Sequence, residues 1–299
     1  MNLGMTKPNL RTWARGLRSA AEAARCSDPE CDAKAWERWT RKGSGIDCNG
    51  HWFCREVCWQ RAIERLVGGV EQTQTITSRR AHRLPLGLMM LARGAIDESQ
   101  LKRALAWQNH HPAFKVGQCL VHLGATSAME VTRALGAQHC LPVLLSDREV
   151  EDGGIPLALM EECWCAGFQP IVGGGHLYLG FDGVVDRSLL TAAEVILGRT
   201  CEPCIVTPEF IARRIAAARR LAASEIVFDT SSSTGEIARI VGSYIGRMVV
   251  ARVRIATTKT HIWVNLAGSR RMNVLFRLRD SLKSNAFPAD DSLATRKFV

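Results

Sequence analysis

The chain has 299 residues and 46% apolar side chains, enough to bury sizeable cores, which excludes a globally disordered protein. No stretch approaches the ~18 apolar residues of a membrane span, and the basic start lacks a continuous apolar run, so neither a span nor a signal peptide is expected. The formal charge of +10 is uneven: residues 1–81 carry 14 Lys/Arg against 9 Asp/Glu, 82–215 carry 11 against 14, and 216–299 carry 14 against 6. Basic flanks of this kind suit nucleic acid, acidic lipid or an acidic protein partner.

Residues 1–25 read as a basic helical leader, with Trp13 and Leu17 on one face among Arg11, Arg15 and Arg18. Residues 26–67 hold five of the 11 cysteines, and with no export signal these point to reduced thiols in a cytosol. Their crowding reads as a metal site rather than a disulfide framework. Cys26 and Cys31 are separated by four residues, Cys54 and Cys58 by three. Two cysteine pairs joined by a short arm bring thiolates from two turns onto one ion, the donor set of a structural tetrahedral Zn. Cys48 falls at an apolar strand position and reads as core, with His51 as a reserve ligand. The segment GIDCNGHWFCREVCWQRAIERL reads as a hairpin, a turn at Cys54 and a helix starting near Cys58. It resembles zinc-ribbon modules in which an aromatic pair precedes Cys-x-x-x-Cys. The alternative is five metal-free thiols in a small core with Trp36, Trp39, Trp52 and Trp59.

A polar linker over 68–81 leads to an internal repeat. LGLMMLARGAIDESQLKRALAWQ (Leu86–Gln108) returns 30 residues later as VGQCLVHLGATSAMEVTRALGAQ (Val116–Gln138). Gly87, Gly94, Leu101, Leu105 and Gln108 match Gly117, Gly124, Val131, Leu135 and Gln138. Each copy predicts two helices. The first carries Met90 and Leu91, or Leu120 and Val121, inward, and Gly94 or Gly124 ends it in the left-handed region. Asp97 with Gln100, and Ser127 with Glu130, have capping-box spacing for the second. Leu101 and Leu105, then Val131 and Leu135, are expected on its buried face.

This repeat resembles the paired motif that opens the type II secretion and type IV pilus assembly ATPases: Arg-Leu-Gly, spaced apolar positions and Gly, then Leu, Leu and Gln. The likeness covers Leu84 to Ala217. It continues through an exit strand (His139–Asp147), a hairpin (Phe168–Val172 with His176–Phe181), a helix after Asp186, a strand at Cys201–Val206 and a helix begun by Thr207-Pro208. In some members the paired motif binds cyclic di-GMP. The resemblance therefore marks Gly87, Gln108, Lys115, Gly117 and Gln138 as candidate ligand positions, with Arg83 as a substitute cation. The motif's opening arginine is Pro85 in the first copy and Lys115 in the second. Proline makes no such contact, and lysine keeps the charge without the fork geometry.

No phosphate loop is present: Gly173-Gly174-Gly175 has no following lysine and reads as a hairpin turn, and SSSTGEIARI starts a helix at Ser233 and Glu236. No catalytic spacing of Ser, His, Cys or carboxylates is recognisable, so no enzyme is expected. Cys163 and Cys165 bracket Trp164 in a poor chelating geometry; Cys201 and Cys204 have Cys-x-x-Cys spacing, a second metal or redox hint, but strand alternation favours buried thiols; His110 and His111 read as solvated loop residues.

Residues 218–283 predict a basic α+β segment of one helix and two strands, with RRMNVLFRL as a further strand. Residues 284–299 read as a disordered tail. The expected whole is an α+β chain in the cytoplasm: a zinc module, a helical repeat pair packed with a mixed α/β subdomain, and a basic α+β segment. Its expected role is a non-catalytic binding or regulatory adaptor whose partner is a protein, such as secretion or pilus assembly machinery. A cyclic di-GMP receptor with a weakened site, and a nucleic-acid-binding protein using the zinc module and basic flanks, are the alternatives.

Overall fold

The computed structural model describes residues 25–34, 37–38, 45–69, 83–144, 150–171, 176–221, 225–229 and 233–278. The leader helix, most of the linker, Trp36, Trp39, the triple glycine and the C-terminal tail lie outside the described residues. Among the described residues there are nine helices and two mixed sheets, a mixed α and β architecture.

The first sheet has six strands in the order β2-β1-β8-β9-β10-β7. Its edge hairpin is β1 (Ile46–Cys48) and β2 (His51–Phe53). The connecting Asn49-Gly50 has φ of 50° and 84°, the left-handed pair that a two-residue hairpin turn requires. The helix α1 follows as Glu56–Gly68, starting two residues before the expected point at Cys58. The remaining strands come from the far end of the chain: β7 (Glu225–Phe228), β8 (Val250–Thr257), β9 (His261–Gly268) and β10 (Arg271–Arg277). The basic segment thus contributes four strands, and β7 pairs in parallel with β10 at the edge.

The cysteine-rich segment and the basic segment, far apart in sequence, share this sheet. β1 runs parallel to β8, with Asp47 beside Arg252 and Cys48 beside Val253. The Asn49 side chain extends the ladder: its Nδ2 donates to the Ile255 carbonyl at 2.9 Å and its Oδ1 accepts from the Ile255 amide at 2.8 Å. One sheet face packs on α1 and on α9 (Thr234–Arg247), burying Trp59, Ile63, Val241, Val253, Val264 and Phe276 in a common core. Ser233 caps α9 from its side-chain oxygen, as its spacing to Glu236 predicts.

The other face carries Trp263 and Leu275 into a second core. That core belongs to the second sheet, order β3-β4-β5-β6: β3 (Val150–Asp152), β4 (Cys165–Pro170), β5 (Leu177–Phe181) and β6 (Cys201–Ile205). Its helices are α6 (Leu157–Cys163), α7 (Arg187–Leu197) and α8 (Pro208–Arg220). Asp186 and Thr207 cap α7 and α8 as expected. The exit segment makes a single parallel bridge, Val143 with Ile205. Two charged groups of the first sheet meet helix ends of this layer with the sign the macrodipole favours. Glu225 accepts from the Leu157 and Ala158 amides at the α6 start (2.8 and 3.2 Å), and Arg254 donates to the Val195 carbonyl near the α7 end (2.8 Å).

The repeat forms α2 (Leu86–Ala92), α3 (Glu98–His110), α4 (Val116–His122) and α5 (Ala128–His139) around a third core of Met90, Ile96, Leu101, Ala104, Cys119, Leu120 and Ala134. Gly94 and Gly124 sit at φ of 68° and 65°, as the C′ assignment requires. The expected second-helix face needs correction. Leu101 is buried, but Leu105 is 45% exposed and Leu135 half-buried; Ala104 and Ala134 occupy the inner position instead. The reason is the close approach of the helices: a Cβ on Gly87 would stand 2.6 Å from Leu101 Cδ1, and one on Gly117 2.8 Å from Val131 Cγ1. So tight a crossing leaves room for alanine one turn on, not leucine.

Candidate metal centre

The four cysteines singled out by spacing meet beside the N-terminus of α1. Cys26, Cys31, Cys54 and Cys58 place their Sγ atoms all within 4.8 Å of one another, and this group can hold a metal ion. The Cys31 and Cys54 sulfurs are 3.6 Å apart. That is too long for a disulfide, about 2.05 Å, and close to the roughly 3.8 Å edge of a tetrahedron with ~2.3 Å metal–sulfur bonds. Cys48 stays in the core, 2% exposed, and His51 is exposed; neither belongs to the group.

Local sequence explains the convergence. β2 ends one residue before Cys54, and Arg55 N-caps α1, so Cys58 lies in its first turn with its amide on the Arg55 carbonyl at 3.1 Å. The opposite loop is pinned to β2 by the Ser27 amide on the Trp52 carbonyl at 2.9 Å. Within it Asp28, whose side chain is wholly buried, accepts from Arg61 at 3.0 Å and Arg65 at 2.6 Å, both on α1. Burial opposes its charge, but Arg65 and the Glu30 amide prevail and hold its carboxyl below the ordinary value. This buried carboxylate with its two arginines, one helical turn apart, locks the Cys26–Cys31 loop onto the helix that carries Cys58. Sequence spacing gave no sign of it beyond the i, i+4 arginines.

Arg55 stands between two of the cysteines. Its guanidinium pairs with Asp32, the neighbour of Cys31, while its buried Nε has no hydrogen-bond partner. As thiols the set is uneven: Cys54 is pushed up to about 11 by burial and then by Cys31, and Cys58 rises further for the same reasons. Cys31 is held below its usual value, because the Ala33 amide and the neighbouring thiols outweigh burial. A divalent cation reverses this balance, since coordination deprotonates thiols outright.

The candidate ligand positions of the repeat are arranged around an approximate two-fold relation, and their side chains are engaged within the protein. Gln108 Nε2 donates to the Phe114 carbonyl at 2.8 Å, just before Lys115, and Gln138 Nε2 donates to the Leu84 carbonyl at 2.7 Å, just before Pro85. Each copy's glutamine therefore fastens the entry of the other copy. Gly87 and Gly117 sit at the tight helix crossings described above. Lys115 Nζ lies 3.7 Å from Asp182, and Arg83 Nη1 lies 2.8 Å from His139 Nδ1. His111, exposed as expected, stacks on Trp107 with centroids 3.8 Å apart, and Phe114 and His122 complete an aromatic cluster. Cys165, Cys201 and Cys204 are buried, with the Cys201 and Cys204 thiols pushed up to about 12 by burial.

No family model matches the chain. No curated protein matches it either. A solved structure described as "Structure of MshE with cdg" aligns at 24% identity over 46% of this chain and 99% of its own, with a TM-score of 0.34. No helix among the described residues is long and apolar enough to cross a membrane.

Proposed function

We propose that this chain is a non-catalytic binding protein of the secretion and pilus assembly kind, in which a structural zinc staples the cysteine-rich segment to the C-terminal sheet. The observation that carries it is the set of four thiols within 4.8 Å, with no fifth donor in the group among the described residues. A closed all-cysteine set suits a structural ion, because a catalytic zinc keeps a position open for water or substrate. Cys26, Cys31, Cys54 and Cys58 are the ligands in this reading; four thiolates outweigh one divalent cation, and the adjacent Arg55 offsets part of the excess negative charge. The repeat pair then acts as a protein-docking unit. Its glutamines and Lys115 are already occupied, while Leu84, Leu88, Leu105, Phe114 and Met129 leave apolar surface exposed. Metal analysis of purified protein tests the staple: about one zinc per chain is expected from four thiolates around one ion, falling on Cys54→Ser. Affinity capture from the host tests the docking role. Recovery of secretion or pilus assembly components, lost in Leu88→Asp with Leu105→Asp, supports it, and capture unaffected by those changes contradicts it.

Cyclic di-GMP is the second reading, favoured by the two-fold relation of the copies. That ligand is itself two-fold symmetric, and the entries at Pro85 and Lys115 are equivalent positions. Lys115 keeps a charge on one side, with Arg83 near the other entry.

A further inference from the structure

The C-terminal sheet carries a cluster of arginines that neither the thiol centre nor the repeat pair uses. Arg247 ends α9, Arg252 lies on β8, and Arg270 and Arg271 occupy the turn into β10. These segments meet at one end of the sheet, where the Ser269 amide reaches the Val249 carbonyl at 3.4 Å. All four arginines are exposed, and none has a side-chain ion pair or hydrogen bond among the described residues. Elsewhere the exposed arginines Arg133 and Arg219 pair with Glu130 and Glu161.

The register arranges them. Arg252 and Arg271 both face Ala267 on the strand between them, so they share one face two strand spacings apart, about 9.6 Å. A bulge between Val250 and Arg252 sets that side. Asp47 and then Trp52 continue the row on β1 and β2, and no ion pair joins Asp47 to Arg252. The adjacent row holds Asn265 and Asn273, hydrogen-bonded to each other at 2.8 Å. The open surface is therefore the end of a strand face, with a small residue at its floor, arginines on both sides and amides beside them; further along the same face Trp263 and Leu275 enter the second core, and Trp52 packs against the first.

We propose that this face binds the phosphate backbone of a single-stranded nucleic acid. Charge complementarity is the main argument: guanidinium groups match phosphate oxygens bidentately. No helix enters a groove from this surface, which disfavours duplex readout. A lipid surface is disfavoured because Val249 is the only large apolar residue exposed in the cluster among the described residues, and membrane binding scales with buried apolar area.

The test is fluorescence anisotropy of the full chain with a labelled oligothymidylate of about 20 nucleotides. Four phosphate contacts at ~0.7 each give a salt slope near −2.8, or roughly 50-fold weaker binding between about 50 and 200 mM salt. Arg252→Gln with Arg271→Gln should halve the slope to about −1.4, leaving roughly a 7-fold change over the same range. Arg219→Gln with Arg220→Gln on α8 should leave the slope unaltered. All the substituted side chains are exposed, and thermal unfolding confirms that each variant folds. No salt-dependent binding, or a slope unchanged by the sheet variant, overturns the proposal. So does tighter binding to phosphatidylserine vesicles than to the oligonucleotide with the same loss in the sheet variant, since it assigns the face to a membrane.

Discussion

Truncating the two matched leucines of the first repeat should give very different results. Leu101 is 8% exposed and stands over Gly87, which has no side chain to fill the space left behind. Leu101→Ala should therefore cost the full transfer and cavity terms, about 2–5 kcal/mol. Leu105 is 45% exposed. Losing three carbons from a fully buried site costs about 2.4 kcal/mol at ~0.8 per carbon, so roughly half that remains here, with no cavity to add. Alanine's better helix propensity returns a few tenths, leaving about 1 kcal/mol or less. Urea unfolding read by amide exchange of α2 to α5 isolates this unit. Equal losses, or a larger one from Leu105→Ala, would refute the packing described here.

Three further outcomes are expected. Arg55→Ala should weaken metal binding about 10- to 100-fold against a competing chelator, as loss of a ligand-orienting partner does, with Arg55→Lys in between; an unchanged affinity contradicts the role given to Arg55. Cyclic di-GMP should bind wild type weakly or not at all by calorimetry, and Pro85→Arg with Lys115→Arg should tighten it by roughly 10-fold or more; tight wild-type binding shows that Gln108 and Gln138 release their backbone partners for the ligand. His261, fully buried, is pushed from 6.5 down to about 4 by burial and then by Arg277. The folded imidazole stays neutral while the unfolded chain takes up a proton, so stability should fall as pH drops from 6.5 towards 4. His261→Gln should flatten that part of the profile, and an unaltered slope assigns it to other groups; Glu162, 3.5 Å away, is not among them, since burial holds its carboxyl above the ordinary value and it works in the opposite sense.

Local chemistry made much of this molecule legible. The segment from Gly45 to Phe53 marked the hairpin, Gly94 and Gly124 the helix ends, and Asp97, Ser127, Asp186, Thr207 and Ser233 the helix starts, because each acts within a few residues of itself. The cysteine spacing marked four residues that the fold brings together. What stayed hidden is non-local. Nothing near Cys48 announces a parallel pairing with Val253, and the four-residue β7 has no alternation long enough to register. Leu105 was misplaced because i+3 and i+4 both lie on an apolar face, and the choice between them rests on how closely Gly87 lets two helices approach. Arg254 has the same strand parity as the exposed Arg252, yet it serves the end of a helix from the other layer.

The shared sheet changes what metal loss should do. Spacing alone predicts that chelation unfolds residues 20–67 and spares the rest. With β1 paired to β8 and Trp59 packed over Gly242, the staple supports α9 and the C-terminal strands as well. Amide hydrogen exchange before and after chelation tests this most directly. Protection should fall together in 45–69 and 233–278 and persist in α2 to α5, whose core is separate. Loss confined to the cysteine-rich segment, or no change anywhere, would contradict the metal as the staple of that sheet.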